Sequence, residues 1–265
     1  MHRDSGVTRV SNRLLDALPV AETERLRRSL RSVSLDVKDV LFEPGRAIDA
    51  VYFPRNCVVS LVTPLHDGHI VEVATVGSEG IVGVPLVLGR SLAVRAVCSV
   101  GGWADRMDAS TFVDEVERSG PLRDLVNDYL QALFGQISQA AACNRLHSVE
   151  ERLCRWLLMS HDRVDTDEFA VTHEFLGQML GARRATVTLS AGLLQAAGLI
   201  SHHRGRITII DRAGLEAAAC ECYEVIEAEL DGVVQRALTH SHPAVTRLQP
   251  RSDSTGLQPA DPRHS

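Results

Sequence analysis

The stretch from Val171 to Arg212 holds five arginines against two carboxylates, Glu174 and Asp211, while the rest of the chain carries 23 basic and 32 acidic residues. A guanidinium donates hydrogen bonds from a rigid fork that matches a phosphate, and neutralising phosphates on a polyanion releases counterions. Interleaved with the arginines are hydroxyls and an imidazole that can bond phosphate oxygens or base edges. The chemistry available here is therefore recognition of a polyanion, with double-stranded DNA the expected partner. The candidate contacts are Thr172, Arg183, Arg184, Thr186, Thr188, Ser190, His203, Arg204 and Arg206.

Other chemistries find less support. There is no GxSxG, no Walker loop and no HExxH, so the chain is not expected to be an enzyme. Glu72 and Glu79 are close in sequence, but Glu72 alternates with Val71 and Val73 as an outward strand residue does. The six cysteines, 57, 98, 143, 154, 220 and 222, show no paired CxxC spacing. Cys220 and Cys222 fall two apart on an expected helix from Ala213 to about Leu238 and would not share a face. No metal and no cofactor is therefore expected, and the thiols read as small buried hydrophobes. No apolar run is long enough for a membrane span, and the first residues lack a secretory core, so a cytoplasmic location is expected.

The arginines need rigid elements to aim them. Thr172 can cap a helix whose Phe175, Leu176, Met179 and Leu180 share one face. Gly181 then permits a left-handed turn. A second helix opens at Arg183 and Arg184, with Val187, Leu193 and Leu194 expected inward and Arg183, Arg184, Thr186, Thr188 and Ser190 outward, and Gly198 ends it. Leu199–Ser201 and Ile207–Ile210 read as two strands reversing around Arg204-Gly205-Arg206. Helix, turn, helix and basic hairpin make a winged helix-turn-helix, which lays its second helix in the major groove.

Upstream, the texture differs. Asn12 to Leu30 reads as a helical lead-in. From Val33 to about Ala104, short β-branched runs alternate with turns, among them the IVGVPLVLG run and the Asp-Gly reversal at His66–His69, as in a β-sandwich or barrel. Asp108 to Ser119 reads as a short helix closed by Gly120-Pro121. From Leu122 to His147, Val126, Leu130, Leu133, Ile137 and Ala140 recur in steps of four and three, widened by Leu122, Leu125, Tyr129 and Ala141. A stripe this broad can serve its own domain and a partner helix, which suggests a homodimer. Ser148 and Glu151 have the spacing of a capping box. The expected units are a β domain at 12–120, a connecting helix at 121–147, a DNA-binding domain at 148–238 and a disordered tail at 239–265.

This plan resembles the Crp/Fnr family of bacterial transcription regulators over roughly Asn12 to Glu224. The resemblance is carried by EFLGQMLGARRATVTLSAGLLQAAGLI and by VLFEPGRAIDAVYFPRNCVVSLVTPLHDGHIVEVATVGSEGIVG. It implies an α+β fold: a cyclic-nucleotide-binding-like β-roll, a long dimerisation helix and a C-terminal winged helix-turn-helix, paired to read a pseudo-palindromic operator. It also implies an effector site, with Gly83, Arg90 and Ser91 on the family's positions. Val84 stands where cyclic-nucleotide binders carry the Glu that accepts the ribose hydroxyls, so the effector is unknown. Arg184 matches the family's first reading arginine, but Ala185 and Leu189 replace its Glu and later Arg, which implies a different half-site. No cysteine precedes Cys57, unlike the members with an N-terminal iron–sulfur group. RNA polymerase is a further partner that activation needs and repression does not. The competing reading is a small-ligand receptor that acts through protein contacts without binding DNA.

Overall fold

The computed structural model describes residues 11–89, 93–164 and 166–241. It opens with two short helices, α1 (Arg13–Asp16) and α2 (Val20–Arg27), where a single lead-in was expected. Pro19 interrupts them and sits at the N-cap of α2. The buried Asn12 caps α1 through its carbonyl oxygen and donates its amide to the Pro54 and Gly80 carbonyls, tying the start of the chain to the β domain.

Seven strands follow: β1 (Arg31–Leu35), β2 (Val40–Phe42), β3 (Ala50–Pro54), β4 (Val58–Pro64), β5 (Ile70–Val76), β6 (Arg95–Val100) and β7 (Gly102–Asp108). They form antiparallel sheets ordered β1-β7-β3 and β2-β6-β4-β5, closed around one apolar cluster. The IVGVPLVLG run is not a strand. Val84–Leu88 forms a 3₁₀ turn held between Gly83 and Gly89, both left-handed, with Pro85 near its start.

Helix α3 (Ala109–Arg118) leads into α4 (Gly120–Leu146). Gly120 and Pro121 open α4 rather than close α3: the Ser119 hydroxyl accepts from Leu122 N–H, and proline is tolerated in a first turn because that N–H has no partner anyway. Helix α5 (Val149–His161) begins with both halves of the Ser148/Glu151 capping box in place. Then come β8 (Glu168–Ala170), α6 (His173–Met179), α7 (Arg184–Ala196), β9 (Ile200–His203), β10 (Arg206–Ile209), α8 (Arg212–Ala218) and α9 (Cys222–Ser241). The expected single helix from Ala213 is two, because Ala219 adopts an extended backbone. Residues 242–265 of the expected tail lie outside the described residues. Among the described residues no helix is long and apolar enough to cross a membrane.

Helix α9 returns antiparallel along α4. Cys222 meets Gln139 near its start, and Arg236 pairs with Asp128 at 3.0 Å near its end. Ile226, Leu230, Val233 and Val234 of α9 join the β-domain cluster. Helix α4 thus has three faces. Leu122, Val126, Tyr129, Leu133 and Ala140 are buried, α9 covers a second face, and Asn127, Gln131, Phe134, Ser138, Ala141 and Arg145 are exposed.

Helix α5 is buried all round from Arg152 to Ser160. Leu153, Trp156 and Leu157 pack with Phe169, Leu176, Val187 and Leu194 on one side and with Val58, Val62, Val97 and Val100 of the β domain on the other. The elements from α5 to β10 are therefore packed directly on the β domain. Glu72 does point outward from the roll, as alternation suggests, but α5 covers it. Its carboxylate accepts from Trp156 Nε1 at 3.2 Å and from the Ser60 hydroxyl.

Burial pushes the Glu72 carboxyl up to about 7, against the pull of Ser60, Arg155, Trp156 and Arg163. A raised carboxyl binds its proton more tightly folded than unfolded. Its stabilisation is complete below about 4.5 and is lost as pH rises through about 7. Glu72→Gln keeps the accepting oxygen and removes the titration. Between pH 5 and 8 the wild type should lose on the order of 3 kcal/mol relative to this variant, by urea unfolding at each pH. Equal pH slopes would contradict this.

Candidate nucleic-acid interface

Local rules place the two helices of the motif. The Thr172 hydroxyl accepts from Phe175 N–H at 3.2 Å and starts α6. Gly181, at φ +58°, supplies the left-handed residue of the turn, with Val71 of β5 in van der Waals range of the position a Cβ would take. A side chain there would be strained by the backbone alone. Arg183 then caps α7 and Arg184 is its first residue, and both side chains are exposed. Neither forms an ion pair among the described residues. The β4–β5 reversal faces them across a groove of about 590 Å³ that also carries Asp67, His69 and Glu174.

The buried face of α7 is Val187, Ser190, Ala191 and Leu194. Ser190, expected outward, is buried, and Leu193, expected inward, is half exposed. Ser190 lies three residues after Val187 and four before Leu194, so it must share their face. Small Ser190 and Ala191 let α7 approach α5, and a hydrophobic label on Leu193 could not reveal that. The outward face is Arg184, Ala185, Thr188, Leu189, Gly192 and Leu193, with Leu189 66% exposed. Thr186 is also exposed.

The Thr188 hydroxyl is already engaged, 3.0 Å from both the Arg184 carbonyl and His173 Nδ1. His173 stacks on His202 with ring centroids 4.1 Å apart. This chain of contacts fixes α6, α7 and β9 together. Thr188 thus positions the helix, a role that composition alone does not disclose. Both imidazoles sit below the ordinary histidine range, chiefly through burial, so they are held neutral.

The wing has three strands, ordered β8-β10-β9, one more than expected. Arg204 and Gly205 form its two-residue tip, at φ +48° and +75°, between the paired His203 and Arg206. Positive φ at both central residues is the hairpin turn that matches strand twist. Gly is at ease there; an arginine is not, and its presence at the tip points to its charge. His203 and Arg204 are exposed. Arg206 instead pairs with Glu168 at 2.5 Å, and Arg212 with Asp162 at 2.7 Å and Glu216 at 2.9 Å. Of the five arginines, Arg183, Arg184 and Arg204 are left to meet a ligand.

Residues 151–218 match the family model of the Crp-like helix-turn-helix domain. The chain carries a Crp-like helix-turn-helix domain. Its fold is shared with a Crp/Fnr-family transcriptional regulator from Eubacterium rectale, at 17% identity over 77% of this chain and 96% of that one, TM-score 0.59. A CRP-family regulator from Thermus thermophilus aligns at 18% identity over 71% and 96%, TM-score 0.58. FixK2 from Bradyrhizobium japonicum aligns at 14% over 72% and 98%, TM-score 0.58. No curated protein matches the chain.

In the β domain the effector candidates fare unevenly. Gly83 is left-handed and precedes a fully buried Val84 that packs in the β-domain cluster, so no acceptor for a ribose stands there. Arg90 and Ser91 lie outside the described residues.

One group of side chains contradicts the expectation that no metal-ligating set exists. Cys143, His147, Cys220 and Cys222 converge, with their donor atoms all within 4.8 Å of one another. The helix-face reasoning failed because Cys220 lies in the break between α8 and α9, not on a helix. A second missed residue is Arg163, fully enclosed just beyond α5. Its guanidinium pairs with Glu79 at 2.8 Å and Glu227 at 3.2 Å and donates to the Met159 carbonyl. Burial alone would lower it, but the two carboxylates raise it above the ordinary arginine range.

Proposed function

We propose that the protein is a cytoplasmic, homodimeric, sequence-specific regulator of transcription that reads a pseudo-palindromic operator. The units are the β domain at 12–120, the connecting helix at 121–147 and the DNA-binding domain at 148–238. The observation that carries this reading is the pair Arg183 and Arg184, exposed at the start of α7 and without an ion pair among the described residues. A helix N-terminus in the major groove places such residues at base edges and phosphates. The exposed Leu189 and Leu193 suit thymine methyl groups.

Dimerisation is supported by the third face of α4. Its exposed positions recur in steps of four and three from Asn127 to Arg145, and Phe134 at 72% and Leu146 at 75% exposure are apolar groups that a partner helix would cover. RNA polymerase is a partner only if the regulator activates.

The wing gives the test. Arg204→Gly relieves a left-handed arginine while removing its charge, so the fold should hold. DNA affinity should fall by a similar factor on every sequence, and the slope of log affinity against log salt should become shallower by about one. An unchanged slope would remove the wing from the interface. Absence of salt-dependent DNA binding by the wild type would favour the receptor reading without DNA.

A further inference from the structure

The thiol–imidazole cluster lies where α4 ends and α9 begins. Cys143 and His147 are one turn apart on α4 and at its C-cap, Cys220 lies just before α9, and Cys222 is the first residue of α9. Three of the four are buried. Cys143 Sγ and Cys220 Sγ are 3.6 Å apart, and Cys222 Sγ and His147 Nδ1 are 3.5 Å apart. Tetrahedral bonds of 2.3 Å to sulfur and 2.0–2.1 Å to nitrogen require about 3.75 Å between sulfurs and about 3.55 Å between sulfur and nitrogen. The observed separations therefore fit a single metal ion. In an iron–sulfur cluster, ligands on different irons stand further apart than the 4.8 Å that bounds all four donor atoms here.

We propose that Cys143, His147, Cys220 and Cys222 form a mononuclear, four-coordinate transition-metal site of the zinc class. Two surrounding contacts are those such a site needs. His147 Nε2 lies 3.2 Å from Glu221 Oε2, so the carboxylate fixes the ring with Nδ1 turned to the cysteines. Gln139 Nε2 donates to Cys222 Sγ at 3.1 Å. Four donors with no open position make a closed, structural site, not a catalytic one.

The position gives the ion a task. It ties the end of α4 to the start of α9. The buried Arg152 bonds Asn144 of α4 at 2.9 Å and the Leu180 carbonyl, in the turn before α7, at 2.8 Å. Occupancy would hold the joint between the connecting helix and the DNA-binding helices in one arrangement.

The full-length protein, purified reduced and loaded with zinc, should retain about one zinc per chain after desalting, by plasma mass spectrometry. Cobalt(II) in its place should show the thiolate charge-transfer and tetrahedral ligand-field bands. Cys143→Ser and Cys220→Ser should each lower retained metal at least tenfold, while Cys57→Ala should keep it. If a serine variant misfolds, the wild-type cobalt spectrum decides. Zinc-free protein with all thiols reduced, full metal in both serine variants, or iron with acid-labile sulfide would each overturn the proposal. So would a Cys143–Cys220 disulfide whose reduction yields no metal binding. None of these readings involves DNA, so they stand apart from the outcome of the DNA-binding tests.

Discussion

Arg163→Ala should destabilise the protein by about 3–5 kcal/mol, the range for removing one partner of a buried ion pair. Arg163 is enclosed where the β domain, α5 and α9 meet, and it pairs with Glu79 and Glu227. Gly77 makes room for its stem: a Cβ there would fall 2.3 Å from the Arg163 chain. The alanine variant strands a Glu79 carboxylate that is itself buried and whose other hydrogen-bond partner among the described residues is Gly77 N–H. Because folded domains are stable by only about 5–15 kcal/mol, such a loss should be visible as a large drop in the urea midpoint. Adding Glu79→Ala should recover part of it, since the cost lies in the unpaired charge more than in the lost attraction. A loss below about 1 kcal/mol, with no coupling to Glu79, would mean that water reaches the site and the junction is looser than the packing indicates.

Arg184→Ala should lower affinity for the best operator by about 1–3 kcal/mol, roughly 5- to 150-fold per half-site, and relax preference at one base position. Non-specific binding should fall much less. The side chain is exposed and unpaired, so its loss should leave the unfolding midpoint close to wild type. That separates it from Arg163→Ala, which acts through folding. A uniform fall on all sequences would instead make Arg184 a phosphate contact.

Much of the scaffold was legible because it rests on local rules. Ser148 with Glu151, Thr172, Gly181 and Gly198 each mark a helix end by backbone chemistry that acts within a few residues, and all four do so in the structure. Failures came where distant segments decide. Ser190 reads as polar and outward until α5 is placed against it. Glu72 reads as solvent-facing until α5 covers the roll. Helix α4 reads as a stripe too wide for one domain, and α9 takes a share of that width. Cys143 and Cys220 lie 77 residues apart and meet only because the chain folds back along α4. Val84–Leu88 reads as a strand by its apolar run, although flanking glycines and Pro85 were the signal for a turn.

The most direct measurement is a selection of bound duplexes from a random DNA pool, run in parallel with wild type and Arg184→Ala. Wild type should enrich two half-sites in inverted repeat, about one helical turn apart, and the variant should lose preference at the same position in both. An unenriched pool, or identical enrichment by the two proteins, would contradict the placing of α7 in the major groove.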